Sequence, residues 1–366
     1  MNQILKKFKK KKHYNFLPGP VDITSFSKKA YKFPIISQRN KDFEYIYFDL
    51  IQNLKLIVDN PFGEIIAVTG SGTLAMEMAI ENFVDISSKV LVISNGKFGD
   101  RFCEILKCKE FNYNCLNFAN SRKVSYEEIE NEILKEINNG VPYTHLLFQA
   151  TETSTGIALN LDEIKKIKEK YKLFLICDSI SHILSNYFSQ EYFNIDLLIF
   201  SSQKGLSSLA GISFISILKS AITKIVNSKS YYMNIKNYLN NLIPYTPAIL
   251  NIYNLWLNIK FILKKGVVDI IEKNISINNK IRDFLKNHGL EEYPLFPSNS
   301  LVVFYFKNSS SFVSNLYEKY NISIADGQGF LKNNAIRIAT MGLNDLNNYN
   351  YLLKILKKEF KFLSFN

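Results

Sequence analysis

Two side chains in this sequence could together act on one small organic molecule, Asp178 and Lys204. Asp178 closes the apolar run Leu173-Phe174-Leu175-Ile176-Cys177. Lys204 follows Ile199-Phe200-Ser201-Ser202-Gln203. A neutral lysine amine adds to a carbonyl carbon, and a carboxylate can keep a ring nitrogen protonated. Pyridoxal 5′-phosphate needs this pair. Taken singly, each residue is ordinary: an aspartate after a strand is commonly a helix cap, and a lysine there is commonly solvated.

The flanking stretches tip the balance. Thr69-Gly70-Ser71-Gly72-Thr73 precedes a helical pattern from Thr73 to Phe83. Glycines let the backbone approach a phosphate, and a helix start offers free N–H groups. Ser71, Gly72 and Thr73 are therefore candidate phosphate contacts. No lysine stands where a nucleotide-binding P-loop requires one. Asn95-Gly96-Lys97-Phe98-Gly99 is read as a loop in which Phe98 could stack on an aromatic ring. Glu152-Thr153-Ser154-Thr155-Gly156 places hydroxyls, those of Ser154 and Thr155, where they could reach a cofactor.

These stretches need a scaffold that brings them to one edge. Short apolar runs read as buried parallel strands at Glu64 to Val68, Val90 to Ser94, His145 to Gln149, Leu173 to Cys177, Leu197 to Phe200 and Gly211 to Ile217. Helical patterns separate them, as at Leu161 to Tyr171. Strands alternating with helices give an α/β fold with a mostly parallel sheet, whose strand C-termini carry the site. A helical stretch from Ala248 to Asn287, weakened only at Gly266, then leads to short strands (Leu301 to Phe306, Ala335 to Ala339) and further helices. The expected organisation is a basic flexible arm (1–15), a large domain (16–247), and a linking helix with a small C-terminal α+β domain (248–366).

Taken together, the motifs resemble the class V, fold type I pyridoxal-phosphate aminotransferases, the group of alanine–glyoxylate and serine–glyoxylate enzymes. The resemblance runs from about Phe16 to the C-terminus. It rests on Pro18-Gly19-Pro20, Gly70-Ser71-Gly72-Thr73, Asn95-Gly96-Lys97-Phe98-Gly99, Glu152 to Gly156, Asp178-Ser179, Ser201 to Leu206, and Ala325 to Gly329 followed by Ile336-Arg337-Ile338. It implies pyridoxal 5′-phosphate held covalently by Lys204, with Asp178 on the pyridine nitrogen and Phe98 on the ring. It also implies Gln203 as a phosphate contact, Ser154 or Thr155 near the ring hydroxyl, and Gly19 and Arg337 at the substrate. Thr246 would reach a neighbouring subunit's phosphate, implying a homodimer with shared sites. Where relatives carry Pro-Pro-Gly after the lysine this chain has Leu209-Ala210-Gly211, and Ile243 replaces an expected tyrosine.

The implied reaction moves an amino group from a small donor of the serine or alanine type to pyruvate or glyoxylate, by a ping-pong mechanism. 2-Aminoethylphosphonate is an alternative donor, with Arg39 or Arg101 supplying a second cationic site. A cysteine desulfurase or other lyase would need a mobile catalytic cysteine, and none follows Cys177. A binding protein on the same fold is the remaining alternative. The net charge is +12, partly from Lys6, Lys7 and Lys9 to Lys12, without a nucleic-acid recognition motif. Four scattered cysteines and four histidines give no metal-ligand spacing. With no export signal or membrane-length apolar run, the expected location is the cytoplasm.

Overall fold

A sheet covered on both faces needs strands that are apolar in both directions, so its strands read as continuous apolar runs. The computed structural model describes residues 12–343 and 345–361. In chain order its strands are β1 (Tyr14–Asn15), β2 (Glu64–Thr69), β3 (Lys89–Ser94), β4 (Asn112–Asn117), β5 (His145–Gln149), β6 (Phe174–Asp178), β7 (Leu197–Ser201), β8 (Ile212–Ile217), β9 (Leu301–Tyr305), β10 (Ile322–Ser323), β11 (Ala325–Asp326) and β12 (Ala335–Ala339). The α-helices are α1 (Lys41–Val58), α2 (Gly72–Phe83), α3 (Lys97–Cys108), α4 (Tyr126–Asn138), α5 (Leu161–Tyr171), α6 (Ile235–Asn240), α7 (Ile249–Lys265), α8 (Val267–Asn287), α9 (Ser309–Tyr320) and α10 (Leu346–Phe360).

Seven strands form the main sheet in the order β2-β8-β7-β6-β5-β3-β4. Neighbours are parallel except at β8, which is antiparallel to β2 and β7. Alternate residues of each strand feed two cores, as the two-residue period requires. Leu91 and Ile93 pack with Leu50 and Leu54 of α1 and Tyr253 of α7. Val90 and Val92 pack with Met76 and Ala79 of α2 and Phe102 and Leu106 of α3. Helices therefore cover both faces, and the α/β, fold type I expectation holds.

A second sheet of three antiparallel strands, ordered β11-β12-β9, carries its own core. Ile281 and Leu285 of α8 and Leu352 and Leu356 of α10 fill it.

The expected elements differ from this in four places. The stretch expected as one linking helix is two, because Gly266 adopts φ +92° between them. Helix α7 buries Ile252, Leu255 and Ile259 in the large core, so that core extends past residue 247. At the other end, Phe16 packs in the small core against Tyr349, and β1 pairs in parallel with β10. Strand β4 escaped notice because its sequence, Asn-Tyr-Asn-Cys-Leu-Asn, is an edge strand's polar mixture with no apolar run. The basic arm lies largely outside the described residues; at its end Lys12 Nζ donates to Asn348 Oδ1. No helix among the described residues is long and apolar enough to cross a membrane.

Candidate active site

Strands β2, β3, β5, β6 and β7 all run toward one edge, ending at Thr69, Ser94, Gln149, Asp178 and Ser201. A cavity of about 290 Å³ opens there between the loops that follow. Gly19, Ser71, Gly72, Thr73, Phe98, Asp178, Gln203 and Lys204 all line it. The structure thus gathers residues spread over nearly 190 positions of chain (204 − 19 = 185) into one pocket.

Lys204 sits on the loop between β7 and β8, with 8% of its surface exposed. Burial is the chief cause that pulls its pKa down, to about 8. Asp178 and Glu152 oppose that shift, while Arg337 and Arg101 assist it. Its Nζ donates to Ser181 Oγ at 2.8 Å and lies 5.3 Å from the centre of the Phe98 ring. Gly19 packs directly against its stem: a Cβ there would lie 2.8 Å from Lys204 Cε, and φ is +103°. A side chain at position 19 would displace the lysine.

Asp178, the last residue of β6, is 5% exposed. Burial raises its pKa to about 6, against the opposing N–H of Ile180 and the charge of Lys204. Oδ1 accepts from Ile180 N at 2.8 Å. Oδ2 has no hydrogen-bond partner among the described residues, so one acceptor faces the cavity.

The start of α2 forms another wall. Ser71 caps it without a side-chain bond, and no acidic residue stands in its first turn. The N–H groups of Gly72 and Thr73 have no partner among the described residues, as the geometry of a helix start dictates. A Cβ at Gly72 would meet Ile180 Cδ1 at 2.2 Å. Gln203 Oε1 is buried without a partner. Arg101, one helical turn beyond Phe98 on α3, stacks 4.8 Å over the Phe98 ring and donates to Thr73 Oγ1 at 3.1 Å.

Arg337 lies on β12 of the small sheet and reaches toward the large one. Nε donates to the Asp326 carbonyl (2.8 Å), and Nη1 to the Thr153 carbonyl (2.9 Å) and Gln328 Oε1 (3.2 Å). Nη2 has no partner among the described residues. Burial pulls the pKa of this guanidinium down to about 10, against the charges of Glu152 and Asp326.

Two expectations need correction. Phe98 is not in a loop but in the first turn of α3, whose buried Phe102, Ile105 and Leu106 aim it at the cavity. The hydroxyls of Ser154 and Thr155 do not line the cavity. Ser154 Oγ donates to Glu152 Oε1 at 2.7 Å, and Thr155 Oγ1 to the Asn95 carbonyl at 2.8 Å. Thr151 lines the cavity in their stead, its hydroxyl 2.9 Å from His182 Nδ1. Thr246 does not line the cavity of the single chain and accepts from Gln38 Nε2 at 3.1 Å. Sequence reading also passed over Ser181 and Glu152. Nothing in a Ser-Ile-Ser-His run signals a lysine partner, and the glutamate's role depends on contacts made across 53 and 54 positions.

Comparison with known proteins settles the family. The profile of Aminotransferase class-V matches residues 31–339, most of the chain. This chain belongs to the class V aminotransferases. The aminotransferase is 29% identical to an uncharacterized aminotransferase of Methanocaldococcus jannaschii, covering 89% of this chain and 87% of that one. It is 22% identical to serine–glyoxylate aminotransferase of Arabidopsis thaliana, over 92% and 87% of the two chains. An aspartate aminotransferase structure of subgroup IV from Thermus thermophilus superposes with a TM-score of 0.88 at 24% identity, covering 95% of this chain and 99% of that one. Membership implies an amino-acid and keto-acid reaction dependent on pyridoxal 5′-phosphate. The open groups suit that molecule: a bare carboxylate oxygen for a protonated ring nitrogen, an uncapped helix start for a phosphate, and a buried amine for an aldehyde.

Proposed function

We propose that this aminotransferase moves an amino group from a small donor of the serine or alanine type to pyruvate or glyoxylate in a ping-pong cycle. The observation that carries the reading is that the Lys204 amine and an unpartnered oxygen of Asp178 face one buried cavity beside the Phe98 ring. In this reading Ser71, Gly72 and Thr73 hold the phosphate with Gln203, and Thr246 of a second copy completes that grip in a homodimer. Phe98 covers the ring, and Asp178 holds the proton on its nitrogen. Pyridoxal 5′-phosphate, once bound, supplies an electron-withdrawing ring that stabilises charge at the donor's α-carbon.

The remaining work falls to the chain. Lys204 would hold the cofactor and, as a free amine, would be the base that takes the proton from the donor's α-carbon. An amine acts as base only when neutral, and a pKa near 8 leaves a usable neutral fraction at ordinary pH. Ser181 Oγ orients that amine. Arg337 does not itself line the cavity; fixed by its bonds to three carbonyl oxygens, it would offer Nη2 to the donor's α-carboxylate, a planar partner that suits a guanidinium. The peptide at Gly19 closes the opposite side.

A 2-aminoethylphosphonate donor is the second reading, favoured by Arg101 at the cavity wall, which could meet a phosphonate. A desulfurase reading loses ground because none of the four cysteines lines the cavity. The test is a donor panel of serine, alanine, aspartate and 2-aminoethylphosphonate against pyruvate and glyoxylate, followed by product analysis. Turnover with serine or alanine supports the proposal. Turnover with the phosphonate alone would replace it with the second reading. No turnover, together with no uptake of pyridoxal 5′-phosphate, would leave a binding protein.

A further inference from the structure

We infer that Glu152 is a positioning residue, whose carboxylate fastens the first turn of α3 and thereby fixes the Phe98 ring beside Lys204. The inference rests on the reading that Phe98 and Lys204 hold a pyridine ring. Glu152 Oε2 accepts from Phe98 N at 2.9 Å and from Gly99 N at 3.2 Å. Oε1 accepts from Ser154 N at 2.9 Å and Ser154 Oγ at 2.7 Å. Ser154 Oγ in turn accepts from Lys97 N at 3.1 Å. Three consecutive N–H groups at the start of α3, which a helix cannot satisfy itself, therefore end on Glu152 or on the hydroxyl it holds.

The arrangement is specific to a carboxylate. Donors converge on both oxygens, and a glutamine would turn an NH2 group against one pair of them. Glu152 is completely buried, and no lysine, arginine or histidine forms an ion pair with it among the described residues. An unpaired buried carboxylate is unfavourable unless hydrogen bonds compensate. Two glycines make its approach possible. At Gly96 a Cβ would lie 2.7 Å from Glu152 Cγ and 2.8 Å from Cδ, and at Gly99 the backbone passes as closely to Gln149 and Ser94, which seats the turn that Glu152 holds. Ser154, expected from sequence at the cofactor, instead serves this carboxylate.

Burial raises the pKa of Glu152, against the hydrogen bonds from Ser154, Phe98 and Gly99 that favour its charged form, and that charge acts on the Lys204 amine. Four charged groups face Lys204: Asp178 from β6, Glu152 from the loop after β5, Arg337 from β12 and Arg101 from α3. Glu152 opposes the arginines, raising the pKa of Lys204 and of Arg337 alike. Glu152 thus holds the ring by hydrogen bonds and the amine by charge, and the two effects are separable.

The experiment compares wild type with Glu152→Gln and Glu152→Asp. Competitive acetylation of the cofactor-free enzyme, read by peptide mass mapping, gives the pH midpoint of Lys204. Circular dichroism of the visible band, after loading with pyridoxal 5′-phosphate, reports how rigidly the ring is held. For Glu152→Gln the midpoint falls, and the dichroism drops at least twofold. Glu152→Asp keeps the charge but is one methylene short, so its midpoint stays near wild type while its dichroism falls. A folded Glu152→Gln with wild-type midpoint and dichroism overturns the inference. If that variant does not fold, Ser154→Ala, which removes one donor to Glu152 and the acceptor for Lys97 N, is read by the same dichroism. A drop there supports the inference and no change overturns it. If wild type takes up no pyridoxal 5′-phosphate, the proposed function fails by itself, and amide hydrogen exchange at Lys97, Phe98 and Gly99 still decides the role of Glu152: faster exchange in Glu152→Gln supports the inference and unchanged exchange overturns it.

Discussion

Four helix starts in this molecule make a contrast. At α1, α4 and α5 the cap is a side chain: Asn40, Ser125 and Asn160 each accept from a backbone N–H of the first turn. Acidic residues follow, Asp42 and Glu44, Glu127 and Glu128, Asp162 and Glu163. Both features stabilise a helix by meeting free N–H groups and the positive end of its dipole. At α2 neither is present. The α2 start is locally the poorest of the four, and it is the one that lines the cavity. Positive potential neutralised at α1, α4 and α5 is left there for an anion from outside.

Replacing Lys204 with alanine tests the active edge at its most demanding point. Turnover is expected to fall by about a thousandfold or more, with loss of covalent cofactor shown by mass spectrometry. Activity within tenfold of wild type would remove Lys204 from its role. Giving α2 an acidic start, as in Thr73→Glu, should weaken affinity for pyridoxal 5′-phosphate by about a hundredfold. Melting of the cofactor-free protein should be unchanged or slightly raised. An unchanged affinity would make α2 an ordinary helix start. The complementary change, Ser125→Ala at α4, should cost about 1 kcal/mol of stability in urea unfolding and leave cofactor affinity untouched.

Asp178 supplies a subtler test. Its folded pKa is raised to about 6, so its contribution to stability is full below its unfolded value and is lost as pH rises through 6. In the cofactor-free protein at pH 7 to 8, Asp178→Asn should therefore stabilise, by about 2 kcal/mol, while abolishing efficient turnover. The gain should shrink to nothing by about pH 4. A destabilised Asp178→Asn at pH 8 would show that Oδ2, besides the Oδ1 that Ile180 N meets, has a partner in the cofactor-free state.

Much of this was legible in the chain. Strands β3, β5, β6 and β7 are apolar on both faces, so both the parallel sheet and its active edge could be read from residues such as Val90 to Ser94. Lys204 and Asp178 are ordinary strand-end residues taken singly, and only the flanking motifs and the family resemblance single them out. Phe98 was found, but its helix was not, because two glycines in five residues suppress a helical pattern that Phe102, Ile105 and Leu106 restore only through burial. Ser154 and Thr155 looked available because sequence lists hydroxyls without their partners. Glu152 and the Asn95 carbonyl had already engaged them. Phe16 was assigned to the large domain by position alone, and its partners lie more than 250 residues away (277 − 16 = 261).

The turn from β7 into β8 has a mechanical consequence. Ser201 and Ser213 face each other across the ladder, and Ser202 N bonds to the Ile212 carbonyl just above them. From the other side Asn258 of α7 donates to the carbonyls of Leu206 and Ser207, and Asn254 accepts from Ser208 Oγ. Lys204 is thus mounted on a bracket clamped at its base and braced along its arm. Its backbone has no room to travel, so the stroke of the amine is the swing of four methylenes. In the proposed cycle, proton delivery works within a fixed radius about the Lys204 Cα, and a substrate brings its α-carbon inside that circle to react.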